Sequence, residues 1–467
     1  MDRLELVGSL CGTQQATVLI SHSHVSEMFS MIANITRVLK ILLLIGMVAA
    51  PLACSGPDDD SPRFVRTIQW IGTGTWLKVD THVHSTFSDG MHSIDELVMQ
   101  AQNFGCDAVA ITDHADLELQ AATEAYMQAI YDARDNHRGI IVLAGLEWNI
   151  PPWDGREHAT VVLPLGPHEG EVLNQFKTQF DGLGQWQNDP LKSIEALKWL
   201  HTEGASSNVL PIVIYNHPSR KRASSIQLVS AIYDWHRENE VLIGFSGAPA
   251  HQLSDPIGSY NSSEKTIDRW DPAAARVGDA WDTLLQKGVD VFAARAPSDF
   301  HSRPELSRDY WPGQFSATWI YAPEYSDKGI LRAFHAGAFF AAHGHIARRV
   351  ILSVHAFGLP RPAWPGEIIK VKANTVISVR IEMVIPVRDW EGKPNHIDML
   401  ELIAVTRDDA RIISEARPSS EGPAMSETVA VPPGGLVLRA RGRRVVENGP
   451  DLIFYTNPIR ILASAAE

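Results

Sequence analysis

Residue pairs with the spacing of metal ligands follow two apolar runs. His82 and His84 lie two positions apart at the end of the run over residues 77–84. On a strand, residues two apart point to the same side, so both imidazoles project from one face. Asp299 and His301 repeat this spacing after a later apolar run. One such pair is weak evidence for a metal ion, whereas its repetition with a carboxylate favours one.

Further acidic residues and histidines share this position beside predicted strands. They are Asp89, His114, Glu147, His158 and His217. Surface histidines on loops would explain any one of them, but not their recurrence at strand ends, where α/β barrels place their chemistry. Burying so many ionisable groups together is very costly unless cations compensate. Imidazoles and carboxylates without thiolates suit Zn²⁺, Mn²⁺ or Fe²⁺, so we predict a site for two or three divalent ions.

Short apolar runs alternate with helix-like stretches from residue 75 onward. The predicted strands cover residues 77–84, 107–112, 140–146, 158–163, 210–215, 241–246 and 289–294. Helices are predicted between them, including 94–104, which Ser93 and Glu96 begin with a capping box, and 118–135. Strands that alternate with helices favour a parallel α/β sheet or barrel.

The pattern changes near residue 346. Alternating runs rich in Val and Ile follow, interrupted by PRPAWPG and VPPGG. They predict a small all-β module over residues 347–467, which has no recognisable set of ligands and which we interpret as a structural cap. The predicted organisation is therefore a leader and linker over 1–65, an α/β domain over 75–346 and the β module.

Composition excludes several classes of protein. The chain has 467 residues, of which 45% are apolar and 21% charged, as in ordinary globular proteins. Its formal charge is −14 and it has no long basic run. We therefore expect no nucleic-acid partner, because phosphate backbones are bound mainly by clustered Lys and Arg. Three cysteines cannot form a disulfide framework or a thiolate zinc site.

The N-terminal region has the features of an export signal. An apolar run over residues 41–50 follows Arg37 and Lys40 and precedes PLACSG. This arrangement resembles a bacterial lipoprotein signal, with Cys54 as the lipidated residue. We expect an exported protein, periplasmic or anchored to the outer membrane, that meets a membrane only through this lipid. Simple secretion and an uncleaved anchor are the alternatives.

The motifs together resemble a known superfamily. The series HVHSTFSDG, AITDH, GLEW, EHATVV, NHP and SDFH is similar to that of the PHP (polymerase and histidinol phosphatase) superfamily over residues 77–345. The later spacing also resembles a secreted subgroup related to carbaryl hydrolases. The resemblance implies an α/β fold with a distorted (β/α)7 barrel, followed here by the sandwich-like β module.

The resemblance also implies an arrangement of the ligands around three ions. The first ion would be held by His82, His84, Glu147 and Asp299. Glu147 would bridge to a second ion, completed by His158 and His217, and the third would be held by Asp89, His114 and His301. We prefer His158 to the nearby His168 because it begins an apolar strand.

Such a site predicts hydrolysis. A hydroxide shared by two divalent ions attacks an ester phosphorus or a carbonyl carbon. Candidates to neutralise a phosphate are Arg220, Lys221, Arg222 and Arg303, for which a solvated basic loop is the alternative. Glu147 is a catalytic candidate as the bridging ligand, and Asp113 either orients His114 or gives a proton to the leaving group.

The sequence therefore favours a metal-dependent hydrolase of phosphomonoesters or phosphodiesters that acts on a small substrate. A carboxylic ester or carbamate hydrolase with the same site is one alternative. A non-catalytic surface binding protein with a vestigial barrel is another. His343 and His345 repeat the two-residue spacing without matching carboxylates, and we interpret them as structural. His251 is expected to shape a substrate pocket.

Overall fold

A computed structural model describes most of the chain after residue 60. The described residues are 61–151, 157–183, 189–206, 208–220, 225–249, 251–253, 257–260, 264–302, 309–418 and 423–464. Asp60–Glu467 form one compact unit. The predicted export signal and Cys54 lie outside the described residues. Within the described part of the chain we find no helix with the length and apolar character needed to cross a bilayer.

The first part of the unit alternates strands and helices. Its strands are β1 (Arg63–Arg66), β2 (Thr75–Val83), β3 (Ala108–Ile111), β4 (Ile141–Asn149), β5 (His158–Val162), β6 (Ile212–Tyr215), β7 (Leu242–Phe245), β8 (Ser316–Ala322) and β9 (Phe339–His343). Its helices are α1 (Ile94–Asn103), α2 (Glu124–Asn136), α3 (Glu169–Phe180), α4 (Pro190–Glu203), α5 (Ser225–Glu238), α6 (Pro272–Ala275), α7 (Ala280–Gln286) and α8 (Asp327–Ala336).

Capping side chains explain where the first two helices begin. Ser93 accepts a hydrogen bond from the backbone N–H of Glu96, as predicted for α1. The prediction that the second helix begins at residue 118 is wrong. The helix begins at Glu124, because the hydroxyl of Thr123 accepts the backbone N–H of Tyr126 and so caps it there.

The sheet is mixed, with a centre rich in parallel strands. β2, β3 and β4 pair in parallel, as do β6 and β7. β5 runs antiparallel to both β4 and β6, and β8 runs antiparallel to β2 and β9. The prediction of a purely parallel sheet is therefore too simple, because the short connection between β4 and β5 reverses the chain instead of crossing over.

The predicted strand over residues 289–294 is not formed. This segment makes single bridges instead of a ladder, with Phe292 opposite Gly244 and, further along, Phe300 opposite Val83. Its apolar composition reflects burial, since Val291, like Phe300, is almost fully enclosed. The bridges connect this segment to β7 and β2, whereas a closed (β/α)7 barrel remains a prediction.

The last part of the described chain is all β. Its strands are β10 (Arg349–His355), β11 (Ile368–Lys372), β12 (Val376–Val384), β13 (Met399–Val405), β14 (Ala410–Ala416), β15 (Met425–Ala430), β16 (Leu436–Arg444), β17 (Leu452–Thr456) and β18 (Ile459–Ser464). β10, β12 and β15 form a three-stranded sheet, and the others extend the large sheet, in which β17 pairs with β9. Buried residues of both sheets, such as Leu352, Val379 and Leu438, share one hydrophobic cluster. The domain boundary at residues 346 and 347 remains a prediction.

Candidate metal centre

The end of β2 supplies two imidazoles that face the same space. His82 and His84 are both buried, and their Nε2 atoms lie 3.0 Å apart. Two ring nitrogens this close cannot both carry a proton, so at least one lone pair points into the gap. The expectation that residues two apart on this strand project from one face is thus seen in the geometry.

Glu147 on β4 lies at the centre of the cluster. Its side chain is buried, and both carboxylate oxygens face imidazole nitrogens. Oε1 lies within 3.2–3.4 Å of His158 Nδ1, His217 Nε2 and His82 Nε2, and Oε2 lies within 3.2–3.3 Å of His84 Nε2 and His114 Nδ1. One carboxylate thus contacts five histidines that come from different parts of the chain.

The direction of β5 explains how His158 reaches this cluster. His158 begins its strand, whereas most other candidates follow theirs. Because β5 is antiparallel to β4, His158 pairs with Asn149 at the carboxyl end of β4. The imidazole therefore lies at the same edge as Glu147. His168, the alternative that the sequence offered, is exposed and pairs with Glu171.

Asp299 completes a group of four buried side chains with His82, His84 and Glu147. Its Oδ1 lies 3.3 Å from His82 Nε2 and 3.1 Å from His84 Nε2. One potential ligand atom from each of the four residues lies within 4.8 Å of the others. This is the set that the resemblance implies for the first ion.

The segment around Asp89 brings together a second group. His84, Asp89, His114 and His301 each offer one atom within 4.8 Å of the others. Asp89 is half exposed, and its carboxylate lies 3.5 Å from His301 Nε2 and 3.6 Å from His114 Nε2. The next residue, Gly90, packs so closely on His84 that a Cβ would lie 2.3 Å from its carbonyl oxygen, so only glycine fits this turn.

Two predicted ligands lie on strained backbone. Asp299 has φ +48° and His217 has φ +27°, both in the region that side chains other than glycine rarely adopt. Such backbone strain often accompanies functional sites.

The ring of His301 is oriented by a local hydrogen bond, because its Nδ1–H donates to the carbonyl oxygen of Asp299 at 2.8 Å. In the neutral ring this leaves the lone pair on Nε2, which faces Asp89.

The surroundings keep several imidazoles neutral. Burial lowers the pKa of His114 to about 3. Burial, together with the charge of His84, lowers the pKa of His301 to about 4. Burial and the nearby charge of Arg220 also lower the pKa of His217 well below its ordinary value. A neutral imidazole keeps the lone pair that a metal ion requires.

The carboxylates of the cluster are held in their charged form. Burial alone would raise the pKa of Glu147, but the charges of His158 and His82 hold it well below its ordinary value. Burial would also raise the pKa of Asp299, but the charges of His82 and His301 and the hydrogen bond from His84 together hold it well below its ordinary value. Conversely, burial opposes protonation of His84, yet hydrogen bonds to Asp299 and Glu147 raise its pKa well above the usual range. A positive charge is thus favoured where the two carboxylates meet.

These donors fit divalent cations. The groups consist of imidazole nitrogens and carboxylate oxygens with no thiolate, which is the ligand chemistry of Zn²⁺, Mn²⁺ and Fe²⁺ in hydrolytic sites. His114 faces both groups, because its Nδ1 points to Glu147 and its Nε2 to Asp89. His114, Glu147 and His158 also form a group of their own. The clusters can bind metal, while the number and identity of the ions remain predictions.

Asp113 lies under the turn that follows His84. It is fully buried, and its carboxylate accepts hydrogen bonds from the backbone N–H of Ser85 and from the hydroxyls of Ser85 and Ser88. Burial raises the pKa of Asp113 despite these hydrogen bonds. These contacts fix the turn that leads to Asp89, while the two predicted roles of Asp113, orienting His114 and giving a proton to the leaving group, both remain predictions.

Of the four basic residues predicted to neutralise a phosphate, the structure describes one. Arg220 follows His217, and its backbone N–H donates to the carbonyl oxygen of His217 at 3.0 Å. Its Nε is buried and has no hydrogen-bond partner among the described residues. Lys221, Arg222 and Arg303 lie outside the described residues. Arg220 therefore stays the best-placed candidate for an anionic substrate.

Some residues of the site carry no strong local signal in the sequence. His251, His301 and Asp309 form a further group, in which His251 Nδ1 lies 2.8 Å from Asp309 Oδ1. Asp309 is fully buried and also accepts the backbone N–H groups of His301 and Ser302. It lies in a polar segment shortly before β8, and nothing in this segment resembles a ligand motif. Only the expected role of His251 near the pocket hinted at this contact.

The second His-x-His motif does not join these clusters. His343 is buried between the rings of Trp270 and Phe315, at centroid distances of 4.4 and 5.0 Å. His345 contacts the carbonyl oxygen of Gly313 at 2.9 Å. Neither belongs to a ligand group among the described residues. Both positions agree with a structural role.

Part of the chain matches a known protein family. Residues 80–193 match the PHP domain. The PHP match contains His82, His84, Asp89, His114, Glu147 and His158, and it ends before His217, Asp299 and His301. A curated protein of Caldicellulosiruptor bescii named "Probable phosphatase" is 30% identical over 82 residues, which are 17% of this chain. The chain spans 34% of the length of that relative.

Two solved structures are similar to parts of the chain. One is a two-domain protein of Bacteroides vulgatus that contains a predicted PHP-like metal-dependent phosphoesterase. It is 15% identical, with a TM-score of 0.38, and the match covers 83% of this chain and 95% of that one. The other is an amidohydrolase of Chromobacterium violaceum, 16% identical, with a TM-score of 0.29 and coverage of 50% and 90%. Both TM-scores are too low for the likeness to bear on function.

Proposed function

We propose that this protein is a metal-dependent hydrolase that cleaves phosphomonoester or phosphodiester bonds of a small substrate. The observation that carries the proposal is the contact of Glu147 with five imidazoles, beside a second carboxylate, Asp299. When bound there, two divalent ions lower the pKa of the water they share and so supply a nucleophile near neutral pH.

The residues of the chain have separate tasks in this proposal. One ion would be held by His82, His84, Glu147 and Asp299, a second by Glu147 with His158 and His217, and a third by Asp89, His114 and His301. Asp113 fixes the turn before Asp89 through Ser85 and Ser88. Arg220 neutralises the phosphate, because its charge lies close to His217 and its Nε is unpaired among the described residues.

Phosphate is the better substrate class for this arrangement. Phosphoryl oxygens are matched by a guanidinium, and Arg220 lies three residues after the predicted ligand His217. The resemblance to carbaryl hydrolases leaves carbamate or carboxylic ester hydrolysis as the competing use of the same residues. The export and lipid anchor at Cys54 are part of the proposal and follow from the sequence alone.

A substrate comparison tests the function. The protein, loaded with Mn²⁺ or Zn²⁺, is assayed against p-nitrophenyl phosphate, bis-p-nitrophenyl phosphate and a naphthyl carbamate. We expect hydrolysis of a phosphate substrate that is lost in Glu147→Gln, with Glu171→Gln on the exposed side of α3 as the matched control. Hydrolysis of the carbamate alone would contradict the proposal and support the competing function, a carbamate or carboxylic ester hydrolase. Hydrolysis that persists in Glu147→Gln would show that the proposed metal centre is not responsible for the activity.

A further inference from the structure

One arginine is buried beside the candidate metal centre and has no ion pair among the described residues. Arg295 is 1% exposed. Its Nε donates to the hydroxyl of Thr81 at 2.9 Å. Its Nη2 donates to the carbonyl oxygen of Thr81 at 3.0 Å and to the hydroxyl of Thr160 at 3.2 Å. Its Nη1 donates to Asn216 Oδ1 at 3.1 Å and to the hydroxyl of Ser246. All these acceptors are neutral oxygens.

Burying a charged side chain with only neutral hydrogen-bond partners is energetically unfavourable. Removing a guanidinium from water is unfavourable unless an opposite charge compensates. Among the described residues no carboxylate forms a salt bridge with Arg295, and the compensating charges are those of Asp80, Asp299 and Glu147 at longer range. Burial lowers the pKa of Arg295 only to about 10, so the side chain is charged at neutral pH. Packing alone would be served better by an apolar side chain.

The hydrogen bonds of Arg295 lead to the central carboxylate through one amide. Asn216 Oδ1 accepts from Arg295 Nη1 and from the hydroxyl of Thr160, which lies 2.9 Å away. With both donors on its oxygen, the amide must turn its Nδ2 the other way. Nδ2 donates to Glu147 Oε1 at 2.8 Å. The orientation of one Glu147 oxygen is therefore set from Arg295.

The same side chain also fixes the strand that supplies the paired histidines. Thr81 precedes His82, and both its hydroxyl and its carbonyl oxygen accept from Arg295. Thr160 lies on β5, which begins at His158, and Ser246 follows β7. Through these contacts Arg295 joins the three chain segments that carry His82, His158 and His217.

We propose that Arg295 is a positioning residue for metal binding, which acts through Asn216 on Glu147 and through Thr81 on His82. This inference rests on the metal site of the proposed function and not on the identity of its substrate. It assigns a role to a residue that contacts neither the proposed ions nor a substrate.

The test measures Mn²⁺ affinity and not turnover. Metal-depleted protein is titrated with Mn²⁺ in competition with a chelator, and the bound ions are observed by electron paramagnetic resonance. We expect Arg295→Met and Asn216→Leu each to weaken Mn²⁺ binding about 10–100-fold and to alter the spectrum. Because Asn216 lies on one of the two paths from Arg295, the double variant Arg295→Met/Asn216→Leu should lose little more than Arg295→Met alone.

Arg439 provides the matched control. It is another fully buried arginine, but its partner is Asp282, away from the ligand groups. Arg439→Met should unfold at a lower temperature and keep the Mn²⁺ affinity and spectrum of the parent. Arg295→Lys, which retains the charge, should recover part of the affinity. If Arg295→Met does not fold, Asn216→Leu and the control decide the matter.

The outcomes separate this inference from the proposed function. Parent-like Mn²⁺ affinity and spectrum in Arg295→Met or in Asn216→Leu would overturn the inference, even if the enzyme hydrolyses phosphoesters. Weaker Mn²⁺ binding in these variants alone would support it, even if no phosphate substrate is cleaved. An equal loss of affinity in Arg439→Met would show that general destabilisation causes the effect and would also overturn it.

Discussion

His158 Nδ1 lies 3.2 Å from Glu147 Oε1, although the strands that carry the two residues run in opposite directions. The antiparallel pairing brings the first residue of β5 to the edge where β4 ends. This contact makes Glu147 common to more than one ligand group. The shared carboxylate leads to the first prediction.

Replacing Glu147 should remove more metal than replacing Asp89. Glu147→Gln takes one charged oxygen from two groups of ligands, whereas Asp89 is half exposed and belongs to one group. We expect elemental analysis to show a loss of more than one ion per chain in Glu147→Gln and of at most one in Asp89→Asn. Equal losses in the two variants would contradict the shared position of Glu147.

His82→Ala and Asp299→Ala should each abolish turnover and lower the metal content. Both side chains are buried and contact each other at 3.3 Å, so neither can be replaced by a neighbouring ligand or by bulk water without disturbing the group. Elemental analysis and the phosphate assay check this. His168→Ala, at an exposed histidine, is the control and should match the parent. A parent-like metal content in both ligand variants would show that the assignment is wrong.

The buried pair Asp282–Arg439 should contribute strongly to stability. It joins α7 to β16 through two hydrogen bonds of 2.8 Å, and both side chains are fully enclosed. Asp282→Asn leaves the guanidinium without its counter-charge, which typically costs about 3–5 kcal/mol. Urea unfolding measures this loss. The double variant Asp282→Leu/Arg439→Met should recover part of it, and a loss below about 1 kcal/mol in the single variant would contradict the prediction.

Asp181 should make the protein less stable as the pH rises from about 4 to 7. Burial raises the pKa of this carboxyl from 3.8 to about 7. In this window the unfolded chain has lost the proton that the folded chain keeps, so the free energy of unfolding falls by up to about 1.4 kcal/mol per pH unit. Asp181→Asn removes this component.

Urea unfolding of parent and variant across this pH range provides the measurement. The difference between the two proteins cancels the titrations that they share. The stability of the parent relative to Asp181→Asn should decline from pH 4 to 7 and then stay level. A difference that stays constant or increases with pH would contradict the raised pKa.

The strand-end cluster could be predicted because its signal is local. His82 lies on β2 and His84 directly follows it, and residues at the carboxyl ends of neighbouring parallel strands must meet at one edge. The direction of β5 could not be predicted, since a short apolar strand reads the same for parallel and antiparallel pairing. The apolar run over residues 289–294 likewise predicted a strand, because composition reports burial and not the hydrogen-bond ladder.

Arg295 was missed because its partners, among them Thr81 and Thr160, lie far away in the sequence. Asp309 was missed because its side-chain partner His251 is also distant, and its nearby partners are backbone N–H groups, which leave no residue pattern. For Arg295 one signal was present: a single arginine stands inside the apolar run VFAARAP, where a charged side chain needs a reason. Asp309 offered none.

Anomalous X-ray scattering from crystals grown with Mn²⁺ or Zn²⁺ tests the central claim most directly. We expect two or three ions. One should lie within about 2.0–2.2 Å of ligand atoms of His82, His84, Glu147 and Asp299, and the others should lie at the remaining predicted ligands. A crystal in which no ion lies beside Glu147, although the metal was supplied in excess, would contradict it.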